Sequence, residues 1–350
     1  MLGGKVPSFA AGLTGTRTGE ITMRKASAAF AVCLAMTGCS APAATEPTLD
    51  EPEVIAPVDG AGWELVWSDE FDGTELDRSN WTPEQSCWGG GNKERQCYTD
   101  RPDNIEVADG LLLLKARKEN FTGPDRPPEL ALDPNPQVSR EYTSGKVRTR
   151  GLHAWKYGRM EVRAKVPAGQ GMWPAVWMMS ADDSYGTWPL SGEIDILETV
   201  NIGAACEECD GNVGENRTVS ALHFGEKWPD NSYVDRKSPL PDGSLPSDGF
   251  HTYSVEWGEG LIRFLVDDRV HFTVPKEQWF TGSPMAEGNP NAPFDQPFYI
   301  MANLAVGGKW PEESNEKGLA ESSLPNQLAI DWVRVYQCSQ DRETGLACMK

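Results

Sequence analysis

Basic residues are scarce in this chain. Lysine and arginine number 32 against 52 aspartates and glutamates, a formal net charge of −20 over 350 residues. Phosphate binding needs a basic face, so nucleic acid is a poor partner. The same balance counts against anionic polysaccharides and otherwise serves solubility. Only four histidines are present. After residue 60 nothing resembles a transmembrane helix or a second linker, and no segment repeats. Helical periodicity is weak throughout.

Tryptophan and glycine, by contrast, are abundant at 13 and 35 residues. Large flat side chains among many turns fit a β protein that handles flat ligands such as sugars or bases. For any single tryptophan, packing in the core explains its presence equally well. The length accommodates one large all-β domain or two ordinary ones.

The first 39 residues read as a leader. Met23-Arg24-Lys25 opens a basic start, a short apolar run follows, and Thr37-Gly38-Cys39 closes it in the manner of a secretory signal. Met23 is the expected true start, because residues 1–22 have no signal character. The small pair before Cys39 also matches a bacterial lipoprotein cleavage site. The expectation is a secreted or cell-envelope protein whose only membrane contact is a lipid at Cys39. Residues 40–60 are small, proline-rich and acidic, and form a flexible linker. A domain at 61–340 and a tail at 341–350 complete the chain, which is expected to act as a monomer.

Six cysteines follow the leader: Cys87, Cys97, Cys206, Cys209, Cys338 and Cys348. Three close-spaced pairs suggest three local disulfides in an oxidising compartment. Cys206-Glu-Glu-Cys209 also has the spacing of half a zinc site, but no second pair follows it.

The domain is a series of short alternating runs between turns. Leu111–Ala116 follows the turn Ala108-Asp109-Gly110. Gly158–Val166 alternates as a half-exposed strand should. Leu261–Val266 leads into the turn Asp267-Asp268, and Ala329–Tyr336 alternates again. Many strands without intervening helices predict an all-β sandwich.

The informative run is Ser191-Gly192-Glu193-Ile194-Asp195-Ile196-Leu197-Glu198-Thr199. On a strand, Glu193 and Asp195 share one face. Glu198 falls on the other, unless one β-bulge near Ile196-Leu197 shifts the parity and returns it. Crowded acids keep one partner protonated near neutral pH. A retaining glycosidase needs that arrangement, with one carboxylate attacking the anomeric carbon and a protonated partner serving the leaving oxygen. Glu193 suits the attacker, Asp195 its hydrogen-bond neighbour and Glu198 the acid. With acids so common, the spacing itself arises by chance roughly once per chain of this size. A solvated acidic face is the plain alternative, against which the alternating isoleucines and flanking tryptophans count.

The flanking motifs make the run more specific. They include Trp67-Ser68-Asp69-Glu70-Phe71-Asp72-Gly73, Tyr142-Thr143-Ser144-Gly145 and Tyr157-Gly158-Arg159-Met160-Glu161. Gly169-Gln170-Gly171-Met172-Trp173-Pro174-Ala175-Val176-Trp177-Met178-Met179 and Asn303-Leu304-Ala305-Val306-Gly307-Gly308-Lys309-Trp310-Pro311 follow. From about residue 62 to 338 the chain resembles glycoside hydrolase family 16, in particular the bacterial laminarinase-type endo-β-1,3-glucanases.

That resemblance implies a concave, concanavalin A-like jelly-roll β-sandwich that cuts β-1,3-glucan. It implies Glu193 as nucleophile, Asp195 as assistant and Glu198 as acid/base. It places Trp173, Trp177 and Trp188 in the cleft, with Asn104 and His223 as sugar contacts. No cofactor is required for the chemistry. The resemblance does imply a structural calcium on the convex face, held by Asp331 and backbone oxygens near Glu70 and Gly110. The stretches 202–217 and 312–324 are longer than the family pattern and are expected to border the cleft. A relative cutting mixed-linkage glucan or a marine galactan is the main alternative. A non-catalytic glucan-binding lectin is another, but such proteins typically lose one of the acids, and all three are present here.

Overall fold

The computed structural model describes residues 62–209 and 213–349. The leader, Cys39 and the linker lie outside the described residues.

Two sheets make up the fold. In the seven-stranded sheet the order is Asn231–Pro239, Arg217–Gly225, Glu193–Glu198, Met172–Ser180, Phe298–Val306, Lys146–Arg148 and Thr82–Pro83. Every pairing in it is antiparallel. The ten-stranded sheet is centred on Gly158–Lys165 and Asn326–Cys338. Among the described residues the only α-helix is Lys309–Glu313. No helix among them is long and apolar enough to cross a membrane.

Alternation builds the core between the sheets. Along Met172–Ser180 the residues Met172, Pro174, Val176, Met178 and Ser180 are buried inward, while Trp173, Trp177 and Met179 stay partly exposed on the outer face. From the acid strand, Ile194, Ile196 and Leu197 enter the same core. Trp81 and Trp257 are fully buried, so part of the tryptophan content is core. The hairpin after Leu261–Val266 turns through Asp267 and Asp268, both at positive φ (48° and 60°). That is the backbone a tight two-residue hairpin requires.

Gly158–Lys165 departs from the half-exposed strand expected of it. Arg159 and Glu161 are buried, because neighbouring strands roof them with charge. Arg159 bonds Glu161, Glu256 and Asp268, and Arg263 pairs with Glu256 at 2.8 Å. Charge complementarity across three strands replaces water there.

The cysteines pair locally as Cys87–Cys97, Cys206–Cys209 and Cys338–Cys348. With its sulfurs joined, Cys206-Glu-Glu-Cys209 offers no thiolate to a metal. The segment after residue 340 is no free tail. Its Cys348 and Met349 pack on Trp63 and Tyr336, and Thr344 O accepts from Glu259 N at 2.8 Å.

Candidate active site

The acid strand Glu193–Glu198 lies third from one edge of the seven-stranded sheet, between Met172–Ser180 and Arg217–Gly225. Its register slips once. Asp195 pairs with Trp177 but Leu197 with Val176, so Ile196 is the extra residue of a bulge. The slip turns Glu198 back to the outer face, beside Glu193 and Asp195. In-register neighbours continue the face: Tyr233 and His223 beside Glu193, Trp177 beside Asp195, and Lys237, Val219, Ala175 and Asn303 in the row of Glu198.

The three acids differ in environment. Asp195 is only 2 % exposed. Burial, then the Glu193 and Glu198 carboxylates, hold it protonated well above the ordinary carboxylate range, and a hydrogen bond to Glu193 favours the same form. Its Oδ2 receives no donor but lies 3.4 Å from His223 Nε2. Glu198 is partly open at the surface, yet surrounding protein desolvates its carboxyl. That desolvation is the main cause pushing its pKa up to about 7, opposed by the Trp173 N–H and Lys237 and assisted by Glu193 and Asp235. One acid is therefore poised to exchange a proton near neutral pH, and another keeps its own.

Aromatic side chains flank the acids. Trp173 and Trp177 share the outer face and are partly exposed. Trp173 Nε1 donates to Glu198 Oε1 at 2.9 Å, and Trp177 Nε1 to Asn303 Oδ1 at 2.7 Å. Trp188 lies 6.4 Å from the His223 ring, and its Nε1 finds no acceptor among the described residues. His223 stacks on Tyr233, which is 62 % exposed.

One expected sugar contact, Asn104, is placed elsewhere. Asn104 has no exposed surface and sits in the ten-stranded layer. Its Oδ1 accepts from Thr99 and Arg101, and its Nδ2 donates to Lys115 O and Thr143 Oγ1. No hydrogen-bonding position is left for a sugar. The carboxylates at the expected calcium position are paired with arginines. Asp331 is ion-paired with Arg163, and Glu70 is forked by Arg334 at 3.0 and 2.8 Å. Gly110 lies in the Asp109-Gly110 turn at positive φ and has open space around it.

Other residues at the site escaped the sequence reading. Asn303 anchors Trp177, and Lys146 lies 5.0 Å from the Trp177 ring while pairing with Glu84 at 3.0 Å. Trp310 packs edge-on against Trp173 at 5.4 Å, with Lys237 Nζ 5.4 Å from its ring. Asn303 and Trp310 stand in a motif already quoted, but nothing local shows that they fold back onto the acid strand.

The two long stretches meet. Ala205 N donates to Glu316 Oε1 at 3.1 Å, and Asn315 Nδ2 to Glu215 Oε2 at 3.1 Å. Between them is a recess of about 420 Å³ lined by Val219, Lys237 and Trp310, neighbours of Glu198 or Trp173.

Comparison with known proteins gives the family and the fold. The family model described as "Beta-porphyranase A-D, GH16 domain" matches residues 63–338. The chain is 38% identical over 309 residues to glucan endo-1,3-beta-glucosidase A1 of Niallia circulans, covering 85% of this chain and 42% of that one. It is 36% identical to a beta-glucanase of Rhodothermus marinus, covering 79% and 85%. The solved laminarinase of Rhodothermus marinus superposes with a TM-score of 0.62 at 35% identity, covering 78% of this chain and 97% of the other. This chain belongs to glycoside hydrolase family 16. Its sandwich is the family's jelly roll, and the protein is a glycoside hydrolase.

Proposed function

We propose that this protein is a retaining endo-β-1,3-glucanase that works by double displacement. One observation carries the mechanism: the bulge brings Glu198 to the face of Glu193 and Asp195, where Asp195 and Glu198 both hold their protons above the ordinary carboxylate range. Glu193 attacks the anomeric carbon as the bond to the leaving oxygen breaks, and Glu198 gives its proton to that oxygen. The new ester removes the negative charge beside Glu198, which then takes a proton from water as the water attacks the same carbon and frees Glu193. Asp195 keeps its proton throughout and holds Glu193 by a hydrogen bond. No cofactor enters either step. Trp173, Trp177 and Trp188 offer ring faces to the sugar, and His223 borders the cleavage point beside Glu193.

The glucanase relatives support β-1,3-glucan as substrate. A galactan is the second reading, favoured by the description of the family model and by a keratan-sulfate endo-1,4-beta-galactosidase relative at 29% identity. A reducing-sugar assay on laminarin, lichenan, agarose and carrageenan separates the readings. Release from laminarin well above the other three is expected. A preference for agarose or carrageenan would overturn the glucan assignment.

We also propose export and lipid attachment at Cys39, supported by the basic Met23 start, the short apolar run and Thr37-Gly38-Cys39. Mass spectrometry of the mature N-terminus tests this. An unmodified start beyond residue 39 in the medium rules the anchor out.

A further inference from the structure

The bulge that returns Glu198 to the outer face leaves a gap in the hydrogen-bond ladder. Asp195 pairs with Ala221 and Glu198 with Val219, so Ile196 and Leu197 together oppose the single residue Ser220. The extra residue of a bulge loses its ladder partner, and Ile196 is buried at 3 % exposure. An unmet carbonyl there would be costly.

A side chain meets it. Val219 and Ala221 stand opposite outward-facing acids, so Ser220 between them points into the core, where it is 2 % exposed. Its Oγ donates to Ile196 O at 3.0 Å. Behind it stands His271, on Arg269–Pro275 of the other sheet, with Nε2 3.2 Å from Ser220 Oγ. The serine proton is already given to Ile196, so the histidine must donate from Nε2 and leave Nδ1 bare. Nδ1 indeed has no partner among the described residues. Burial, then Arg236, lowers the pKa of His271 to about 4, so the ring is neutral as this tautomer requires. A serine buried between two sheets is expensive unless bonded. The bulge carbonyl accounts for Ser220, and the half-buried His271 accounts for its remaining acceptor site.

We propose that Ser220 and His271 are positioning residues: the relay from His271 through Ser220 to the Ile196 carbonyl holds the bulge, and the bulge holds Glu198 against the leaving oxygen. The proposal rests on the reading of Glu198 as acid/base. It is tested with Ser220→Ala, Ser220→Thr and His271→Phe. Two substrates are used, laminarihexaose and a dinitrophenyl β-laminaribioside whose leaving group needs no proton.

Because small misplacements of a reacting group are costly in rate, Ser220→Ala should lower kcat/KM on the hexaose about tenfold and on the dinitrophenyl glycoside less than about twofold. Ser220→Thr, which keeps the hydroxyl, should restore the hexaose rate. His271→Phe should fall between and carries the test if Ser220→Ala does not fold. Equal losses on both substrates, or none on either, overturn the relay. Glu198→Gln in the same assay isolates the underlying reading. If it fails to separate the two substrates, the acid/base assignment falls. If it separates them and the relay variants do not, the relay alone falls.

Discussion

Trp173 gives its indole N–H to Glu198 Oε1 at 2.9 Å, so a ring proposed as a sugar platform also biases the proposed acid toward its charged form. The two contributions can be separated. Trp173→Phe keeps an aromatic face and removes the donor. The N–H favours the carboxylate, so its loss should hold the Glu198 proton to higher pH. The basic limb of kcat/KM should shift upward, while KM changes little. Trp173→Ala should also raise KM, because the platform itself is gone. A limb that stays in place in Trp173→Phe would detach this hydrogen bond from catalysis.

The wild-type enzyme should lose kcat/KM as pH rises through about 7, where Glu198 gives up the proton it must donate. Lys237 favours the anion and Asp235 the acid. Lys237→Met should therefore move the limb up and Asp235→Asn should move it down. Both effects act through space and should weaken with added salt. Limbs that shift the other way, or not at all, would assign the titration to another group.

Glu193→Gln should abolish hydrolysis while leaving glucan binding nearly intact, read by activity and by calorimetric titration with laminarin oligosaccharides. Residual activity above a few per cent of wild type would move the nucleophile elsewhere. For the wild-type protein, proton NMR of the first product should show the β-anomer, since two displacements at one carbon restore its configuration. An early α-anomer would mean inversion.

The acid strand was legible because strand parity is a local rule. Glu193 and Asp195 had to share a face, and the shared face demanded a slip before Glu198. The slip lies at Ile196, as the parity required. Alternation also marked the strands around Leu111, Leu261 and Ala329. What stayed hidden depends on pairing between distant segments. Nothing near Ser220 shows that it opposes a bulge 24 residues earlier. Nothing near Lys309–Glu313 shows that Trp310 reaches Trp173. Burial of Arg159 and Glu161 likewise needs Glu256 and Arg263 from later strands, so alternation suggested water where there are counter-charges.

Asn104 offers the clearest separation of stability from catalysis. Its position in Asp103-Asn104-Ile105 suggested a sugar contact, but its amide joins Thr99, Arg101, Lys115 and Thr143 instead. Asn104→Ala would leave buried partners without theirs, at about 1–3 kcal/mol for each group that finds no substitute. Arg101 keeps Glu119 and Thr143 keeps Glu119, so the net loss falls mainly on Thr99 and the Lys115 carbonyl. A total near 3 kcal/mol would lower Tm by roughly 6–12 °C for a domain of this size. On the folded protein, kcat and KM for laminarin oligosaccharides should remain those of wild type, because the side chain has no exposed surface. Thermal melting and kinetics on the same preparation decide the matter. A raised KM with unchanged Tm would return Asn104 to the sugar.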